Sequence, residues 1–276
     1  MIRSVLLDIY AFLFSRTYFS KLNNWLFDAS IRGLGVLNYK NQVVSGEHHF
    51  LKKYLSSCQN PTVVDVGANE GQYSADVWAV NGDAHVFAFE PHPGTYSRLL
   101  SHASRMGIER MTAINAACGS ASGQLVLYDY AGSGGTSHAS LHAGVIEELH
   151  KGASDQHVVE VIDLDTFAAK HGISLIHLLK IDAEGHELEV LKGAANLLRE
   201  NRIRAIQLEF NEMNVVSRVF FKDFCDLLPN YRFYRMIRDG LVALDPYSAL
   251  RCELFAFQNV VALPRMSLPA QNVSVG

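Results

Sequence analysis

Beyond residue 60 the chain is punctuated by short, almost unbroken apolar runs. These are 63–66 (VVDV), 84–90 (AHVFAFE), 111–116 (MTAINA), 175–182 (LIHLLKID), 204–210 (RAIQLEF) and 255–263 (FAFQNVVAL). Runs of that length, apolar on both faces, fit strands of a parallel sheet covered by helices on each side. The stretches between them carry helical periodicity. Tyr96, Leu99, Leu100 and Ala103 form one stripe after Pro93, a residue suited to a first helical turn. Leu188, Leu191, Ala195 and Leu198 form a second after Gly185, and Phe220, Phe221, Phe224, Leu227 and Leu228 a third. Such alternation predicts an α/β fold: an open, mostly parallel, doubly wound Rossmann-like sheet with right-handed crossovers. With 276 residues, 49% of them hydrophobic, the chain can bury a sizeable core. The expected division is a helical extension over 1–44 and one domain over 45–276.

Charge and cysteine usage narrow the function. A net charge of −4 argues against a nucleic-acid partner held by a broad basic surface. Cys58, Cys118, Cys225 and Cys252 are far apart and form no C-x-x-C pair, which reads as reduced thiols in a cytoplasmic protein. Residues 2–19 are rich in Leu, Ile, Phe and Tyr, but Arg3, Asp8 and Arg16 interrupt them, which argues against a transmembrane span. Two readings stay open there. The preferred one is a helix packed on the main domain or on a partner. The other is a helix in peripheral contact with a membrane interface, helped by Trp25.

The turn VVDVGANEGQYS (63–74) leaves a strand through glycines and enters a helix, where ligands of open α/β sheets bind. Gly67 and Gly71 are read as giving a ligand room that a Cβ would fill. Glu90, ending the next strand, suits the two hydroxyls of an adenosine ribose. A dinucleotide site wants G-x-G-x-x-G, but here the spacing is G-x-x-x-G, and Asp65 and Glu70 would repel a pyrophosphate. A cationic sulfonium nucleoside, S-adenosylmethionine (SAM), is therefore favoured over NAD. The second signal is LKIDAEGHE (179–187), with Asp182 at a strand end facing the same crevice, although Asp182 or Glu184 would also serve as a helix cap. A long polar stretch, 131–156, contains Gly132, Gly134, Gly135, His138, His142 and His150 and reads as a lid over the crevice; with His157 nearby, its histidines lack metal-type spacing.

These motifs, in this order, resemble the FkbM family of SAM-dependent methyltransferases. The matching pieces are Ser45-Gly46-Glu47 with Phe50-Leu51, VVDVGANEGQYS, FAFEPHP (87–93), Asn115-Ala116-Ala117, Asp163-Leu164-Asp165 and, most specific, LLKIDAEGHELEVLKGA (178–194). The resemblance implies a class I methyltransferase fold and O-methylation of a hydroxyl on a sugar, glycan or polyketide-type small molecule. It assigns Asp65, Gly67, Asn69 and Gly71 to the methionine end of SAM and Glu90 to the ribose. Asn115 and Ala116 go to the adenine edge, and Asp182 to the methyl-transfer end. Where the family usually has Val after that Asp, this chain has Ala183.

An alcohol acceptor must lose its proton, so a base or a metal-bound alkoxide is required. His186, four residues beyond Asp182, is the first candidate base, and His138 a weaker one that needs loop closure. A divalent cation on Asp182, Glu209 and Asn211 is the less favoured alternative. Two further readings stand beside the enzyme: an NAD-linked oxidoreductase, and a non-catalytic scaffold that keeps the fold.

Overall fold

The computed structural model describes residues 2–130, 140–141 and 154–265. Eleven strands appear among them: β1 (Thr62–Val66), β2 (His85–Phe89), β3 (Met111–Ile114), β4 (Ala117–Cys118), β5 (Gly123–Tyr130), β6 (Ser154–Ile162), β7 (Leu178–Ile181), β8 (Ile206–Phe210), β9 (Tyr231–Ile237), β10 (Gly240–Ala243) and β11 (Gln258–Pro264). Eight form one sheet in the order β10-β9-β11-β8-β7-β1-β2-β3. The segment from β3 to β8 is parallel throughout, as expected from its apolar runs. The order reverses at β1, between β2 and β7, and this switch point opens the crevice at the carboxyl ends of the strands.

The far edge departs from the sequence reading. The run ending near residue 263 is a strand, but it lies antiparallel to both β8 and β9. Strands β9 and β10 form a hairpin closed by Arg238-Asp239, absent from the sequence expectation. Asp239-Gly240 was its signal, a dipeptide common at tight hairpins. A small second sheet, β4-β6-β5, stands over the crevice.

Helices cover both faces, and strand alternation decides which side chain meets which layer. Val64, Val66, Phe87, Phe89, Leu179 and Ile181 point to one face, where Phe167, Val190, Leu191, Leu197, Phe221 and Phe224 cover them. Val63, Val86, Ala88 and Leu178 point to the other, beneath Phe50, Leu51, Tyr73, Val77 and Leu99. Burying a Leu, Val or Phe side chain contributes about 1.5–3 kcal/mol each, so these two layers hold the sheet rigid.

The helical stripes need small corrections. In helix Pro93–Met106, started by Pro93 behind the His92 cap, Leu99 is buried but Leu100 is exposed. The stretch after Gly185 is two short helices, Glu187–Lys192 and Ala195–Arg199, and Ala195 is exposed while Val190, Leu191, Ala194 and Leu197 are buried. Phe220 stands outside helix Phe221–Leu227 and is exposed.

The N-terminal reading changes more. Helices Ile2–Phe14 and Ser20–Gly33 form, but no residue of the second is buried, and Leu6, Phe12 and Trp25 are exposed. Of the preferred reading, packing on the domain or on a partner, the first half does not hold for these residues. The chain rejoins the body at Gly35, where a Cβ would lie 2.3 Å from the Met236 carbonyl oxygen and the backbone is left-handed (φ +86°).

Candidate active site

A cavity of about 400 Å³ opens at the switch point between β2, β1 and β7. Val66, Gly67 and Asn69 form its floor, and Phe89, Glu90 and Pro91 form one wall. Asp182, Ala183 and Glu184 form the opposite wall, continued by Glu209, Asn211 and Glu212 after β8. The small sheet roofs it with Ala117, Cys118 and Leu127. Five carboxylates (Glu90, Asp182, Glu184, Glu209, Glu212) line the cavity, and among the described residues no lysine or arginine does.

Glu90 is 7% exposed. Its two oxygens accept from the Asn69 N–H at 3.0 Å and the His92 N–H at 2.8 Å. Burial pushes its pKa up to about 7, although those two hydrogen bonds favour the charged form. Asn69 presents its N–H from a left-handed turn (φ +48°). Asn115 is not in the cavity wall. Its amide donates to the carbonyls of Glu90 at 2.8 Å and Pro91 at 3.0 Å, fixing the turn that carries the carboxylate. Ala116, the next residue, does line the cavity.

Asp182 is built differently. Asp65, Lys180 and Gln207 occupy matching positions on β1, β7 and β8, all on the same face of the sheet. Lys180 Nζ lies 3.4 Å from Asp65 Oδ1 and 3.3 Å from Asp182 Oδ2, and donates to the Gly67 carbonyl at 3.3 Å. Its ammonium also sits 5.3 Å from the Tyr73 ring centroid. Burial works against that charge, but Asp182 and Asp65 hold the lysine above its ordinary value. Asp65 also accepts from Ser74 Oγ at 2.7 Å. The polar row continues outward, with Tyr73 Oη donating to Gln207 at 2.6 Å and Gln207 donating to Glu47 at 2.9 Å. Glu47 in turn accepts from Ser45 Oγ at 2.9 Å, which gives the Ser45-Gly46-Glu47 motif its role in the fold.

Three of the residues assigned to the cofactor owe their identity to contacts within the protein. Asp65 is fully buried and serves as counter-ion to Lys180, because it points into the same helix-covered layer as Val63. Gly71 lies outside the cavity wall, and a Cβ there would strike Leu99 Cδ1 at 2.5 Å; its left-handed backbone (φ +85°) and close helix contact explain it. Gly67 does line the cavity, but its missing Cβ makes room for the Asp182 carbonyl oxygen at 1.8 Å rather than for a ligand. Glu70, read as guarding the turn, pairs instead with exposed Arg98 at 2.8 Å.

In the turn after β7 no acid caps the following helix, whose N-cap residue is His186. Glu184 and Gly185 both take positive φ, +49° and +95°. Glu187 accepts from the N–H groups of Ala183 and Gly185, each at 3.0 Å. Glu187 thus pins the turn that precedes its helix, and burial lifts its pKa to about 7, while Asp182 and Glu184 line the cavity. His186 does not reach it. The ring is buried at the helix start, with Nε2 close to Gly119 beneath the small sheet. His138, His142 and His150 fall outside the described residues, but Ser140 and Leu141 of that stretch reach the site. Ser140 Oγ donates to the Glu184 carbonyl at 2.8 Å, and Leu141 lines the cavity.

Glu209 is pushed well above the ordinary carboxyl value, first by burial and then by Asp182 and Glu184. The Asn211 amide donates to it at 2.5 Å, so Asn211 turns its N–H rather than its oxygen toward that carboxylate. Among the described residues no group of three or more His, Cys, Asp or Glu has metal-holding geometry. Lys180 was missed in the sequence as a site residue, although a lysine inside the apolar run LLKI already required a buried anion. Leu37, Tyr39 and Phe257 also line the cavity and carry no sequence signal.

Fold and site together define an α/β protein with a nucleoside-sized, acid-lined crevice at its switch point. The chain matches the Methyltransferase FkbM domain over residues 65–235, more than half its length, and it belongs to that family. It is similar to the hexuronic acid methyltransferase AglP of Haloferax volcanii, 28% identical over 158 residues, or 56% of this chain and 59% of that protein. The 2-O-methyltransferase NoeI of Sinorhizobium fredii is 23% identical over 191 residues, 66% of this chain and 76% of that one. The methyltransferase sdnD of Sordaria araneosa is 28% identical over 156 residues, 49% and 60% respectively. The chain thus spans about six tenths of AglP and of sdnD.

Proposed function

We propose that the protein transfers a methyl group from SAM to a hydroxyl of a sugar-type acceptor. The observation that carries this reading is the cavity lining: five carboxylates and, among the described residues, no cationic side chain. A pyrophosphate would be repelled there, which disfavours the NAD-linked reading, whereas a ligand bearing sulfonium and ammonium charges gains from every wall. Glu90 would take the ribose hydroxyls, since each of its oxygens keeps a lone pair beyond its one backbone hydrogen bond. Ala116 would border the adenine, and Asp182 and Asn69 the methionine end.

When bound, SAM supplies an electrophilic methyl on an excellent leaving group. The chain's task is then to position the acceptor and to take its proton. Glu209 is assigned the base role in place of His186. It lines the cavity beside Asp182, and the burial that raises its pKa favours the protonated form it would take on accepting the acceptor's proton. The names AglP and NoeI support a sugar and an oxygen acceptor respectively. Glu184, Glu209 and Glu212 further favour a neutral hydroxylated acceptor over a uronate, whose carboxylate they would oppose.

The test is product release from SAM with matched neutral sugars and uronic acids. Glu209→Gln should cut kcat by about 10²–10⁴-fold, a far larger loss than any in SAM affinity, while His186→Ala should stay close to wild type. Equal loss in both variants, or faster turnover of uronates, would overturn the assignment.

A further inference from the structure

The N-terminal hairpin carries a large uncovered apolar surface. Phe12 is 78% exposed, Tyr18 87% and Trp25 65%. Monomeric proteins keep such patches to a few hundred Å² unless a partner covers them. The hairpin holds its own shape. Tyr10 Oη donates to Asn23 at 2.6 Å, the Asn23 amide donates to the Phe14 carbonyl at 3.0 Å, and Tyr10 stacks on Phe14 at 4.9 Å. That closure leaves Leu6, Phe12 and Trp25 outside.

Circumference, length and charge select the occupant. With 3.6 residues per turn, Leu6 and Leu13 share one side of helix Ile2–Phe14, Val5 and Phe12 one flank, and Leu7 and Phe14 the other. Apart from the Tyr10 hydroxyl, its polar residues are Arg3, Ser4 and Asp8. A protein partner covers one stripe of a helix and would leave much of this surface wet, whereas a lipid phase covers it all. Thirteen residues reach about 20 Å, short of the roughly 30 Å hydrocarbon core. Among the described residues no helix is long and apolar enough to cross a membrane. Residues 1–34 hold Arg3, Arg16, Lys21 and Arg32 against Asp8 and Asp28, a net +2, while the remainder carries −6 of the total −4. Arg16 and Lys21 flank Tyr18, the pairing of cation and aromatic ring suited to headgroup level.

We propose that this hairpin docks the protein on an anionic lipid surface, seated in one leaflet. The proposal stands apart from the methyltransferase reading. It also has a consequence for the cavity. Just past the hairpin, the Leu37 N–H donates to the Phe257 carbonyl at 2.7 Å, and Tyr39 meets the Phe257 ring edge-on at 5.7 Å. Leu37, Tyr39 and Phe257 all line the cavity, so docking brings its mouth beside the lipid surface.

The chain has two tryptophans, and Trp78→Phe leaves Trp25 as sole reporter. The full-length variant is mixed with vesicles of equal parts phosphatidylcholine and phosphatidylglycerol, and separately with phosphatidylcholine alone. Sedimentation with the mixed vesicles and a blue shift of Trp25 emission are expected. Adding Leu6→Asp with Phe12→Asp should cut vesicle binding by at least about tenfold. Adding Arg16→Glu with Lys21→Glu should cut it by about tenfold on mixed vesicles and far less on neutral ones. An unchanged circular-dichroism melt in these variants shows that the body is intact. Protein that stays in the supernatant with unshifted emission overturns the proposal. So does an oligomer that the Leu6→Asp, Phe12→Asp variant converts to monomer without any vesicle binding, which would make the hairpin an interface between copies.

Discussion

Glu90 and Asp182 face one cavity from opposite sides of β1, yet they are supported by opposite means. Glu90 has two backbone N–H groups and, among the described residues, no cation in ion-pair contact, and burial lifts it to about 7. Asp182 lies against Lys180, which is itself anchored on fully buried Asp65. The Asp182 wall is braced by the fold: its carboxylate already has a cation, one it shares with Asp65, before any ligand arrives. On the proposed function a ligand would finish the Glu90 wall, because hydroxyl donors there would stabilise a carboxylate that burial disfavours. Removing a group from the first wall should therefore cost stability, and removing one from the second should cost binding.

The largest expected effect tests the first half of that contrast. Lys180→Met leaves Asp65 buried beside Ser74 without its cation, and should lower stability by about 3–5 kcal/mol in urea unfolding. Adding Asp65→Asn should recover part of the loss, since the orphaned charge is then gone. If Lys180→Met unfolds like wild type, the two walls do not differ as described.

Next comes Glu90→Gln, which should weaken SAM binding by about 1.5–3 kcal/mol through lost charge-assisted hydrogen bonds. The same variant should melt no lower than wild type at pH 8. The sign follows from its raised pKa: the folded state favours protonated Glu90, so its burden on stability is absent below about 4.5, grows up to about 7, and is full above. Ligand affinity runs the other way. Hydroxyls bind the ionised form, so wild-type affinity for SAM should fall about tenfold per pH unit below about 7 and flatten above, and Glu90→Gln should lose that slope. A slope that survives the substitution assigns the titration to another group.

The smallest effect is at Asn115. Its amide steadies the Glu90-Pro91 turn from an exposed position, so Asn115→Ala should cost about 0.5–1.5 kcal/mol in SAM affinity and little in stability.

Much of the Glu90 wall was legible in the sequence, and less of the Asp182 wall. Glu90, Asn69, Gly67, Ala116 and Asp182 all reach the cavity because they sit at the ends of strands that apolar continuity marks plainly. Asp65 lies off the cavity lining because strand alternation, not nearness to the strand end, decides its direction, and its pairing with Lys180 depends on a register between β1 and β7 that local pattern does not carry. His186 was misplaced by the two positive-φ residues before it, of which only Gly185 announces such a turn. The family resemblance located the motifs correctly, but it could not separate a residue that meets a ligand from one that braces it. The exposed N-terminal hairpin ran against the domain-packed half of the preferred reading for a simpler reason: apolar helices look alike in sequence whether a domain, a partner or a lipid phase covers them.

Calorimetric titration of the full chain tests the central claim most directly, using SAM, S-adenosylhomocysteine and NAD in parallel. The acid-lined crevice predicts one-to-one binding of both sulfur nucleosides, weakened by Glu90→Gln, and no heat from NAD. Binding of NAD, or silence with both sulfur nucleosides, would contradict it.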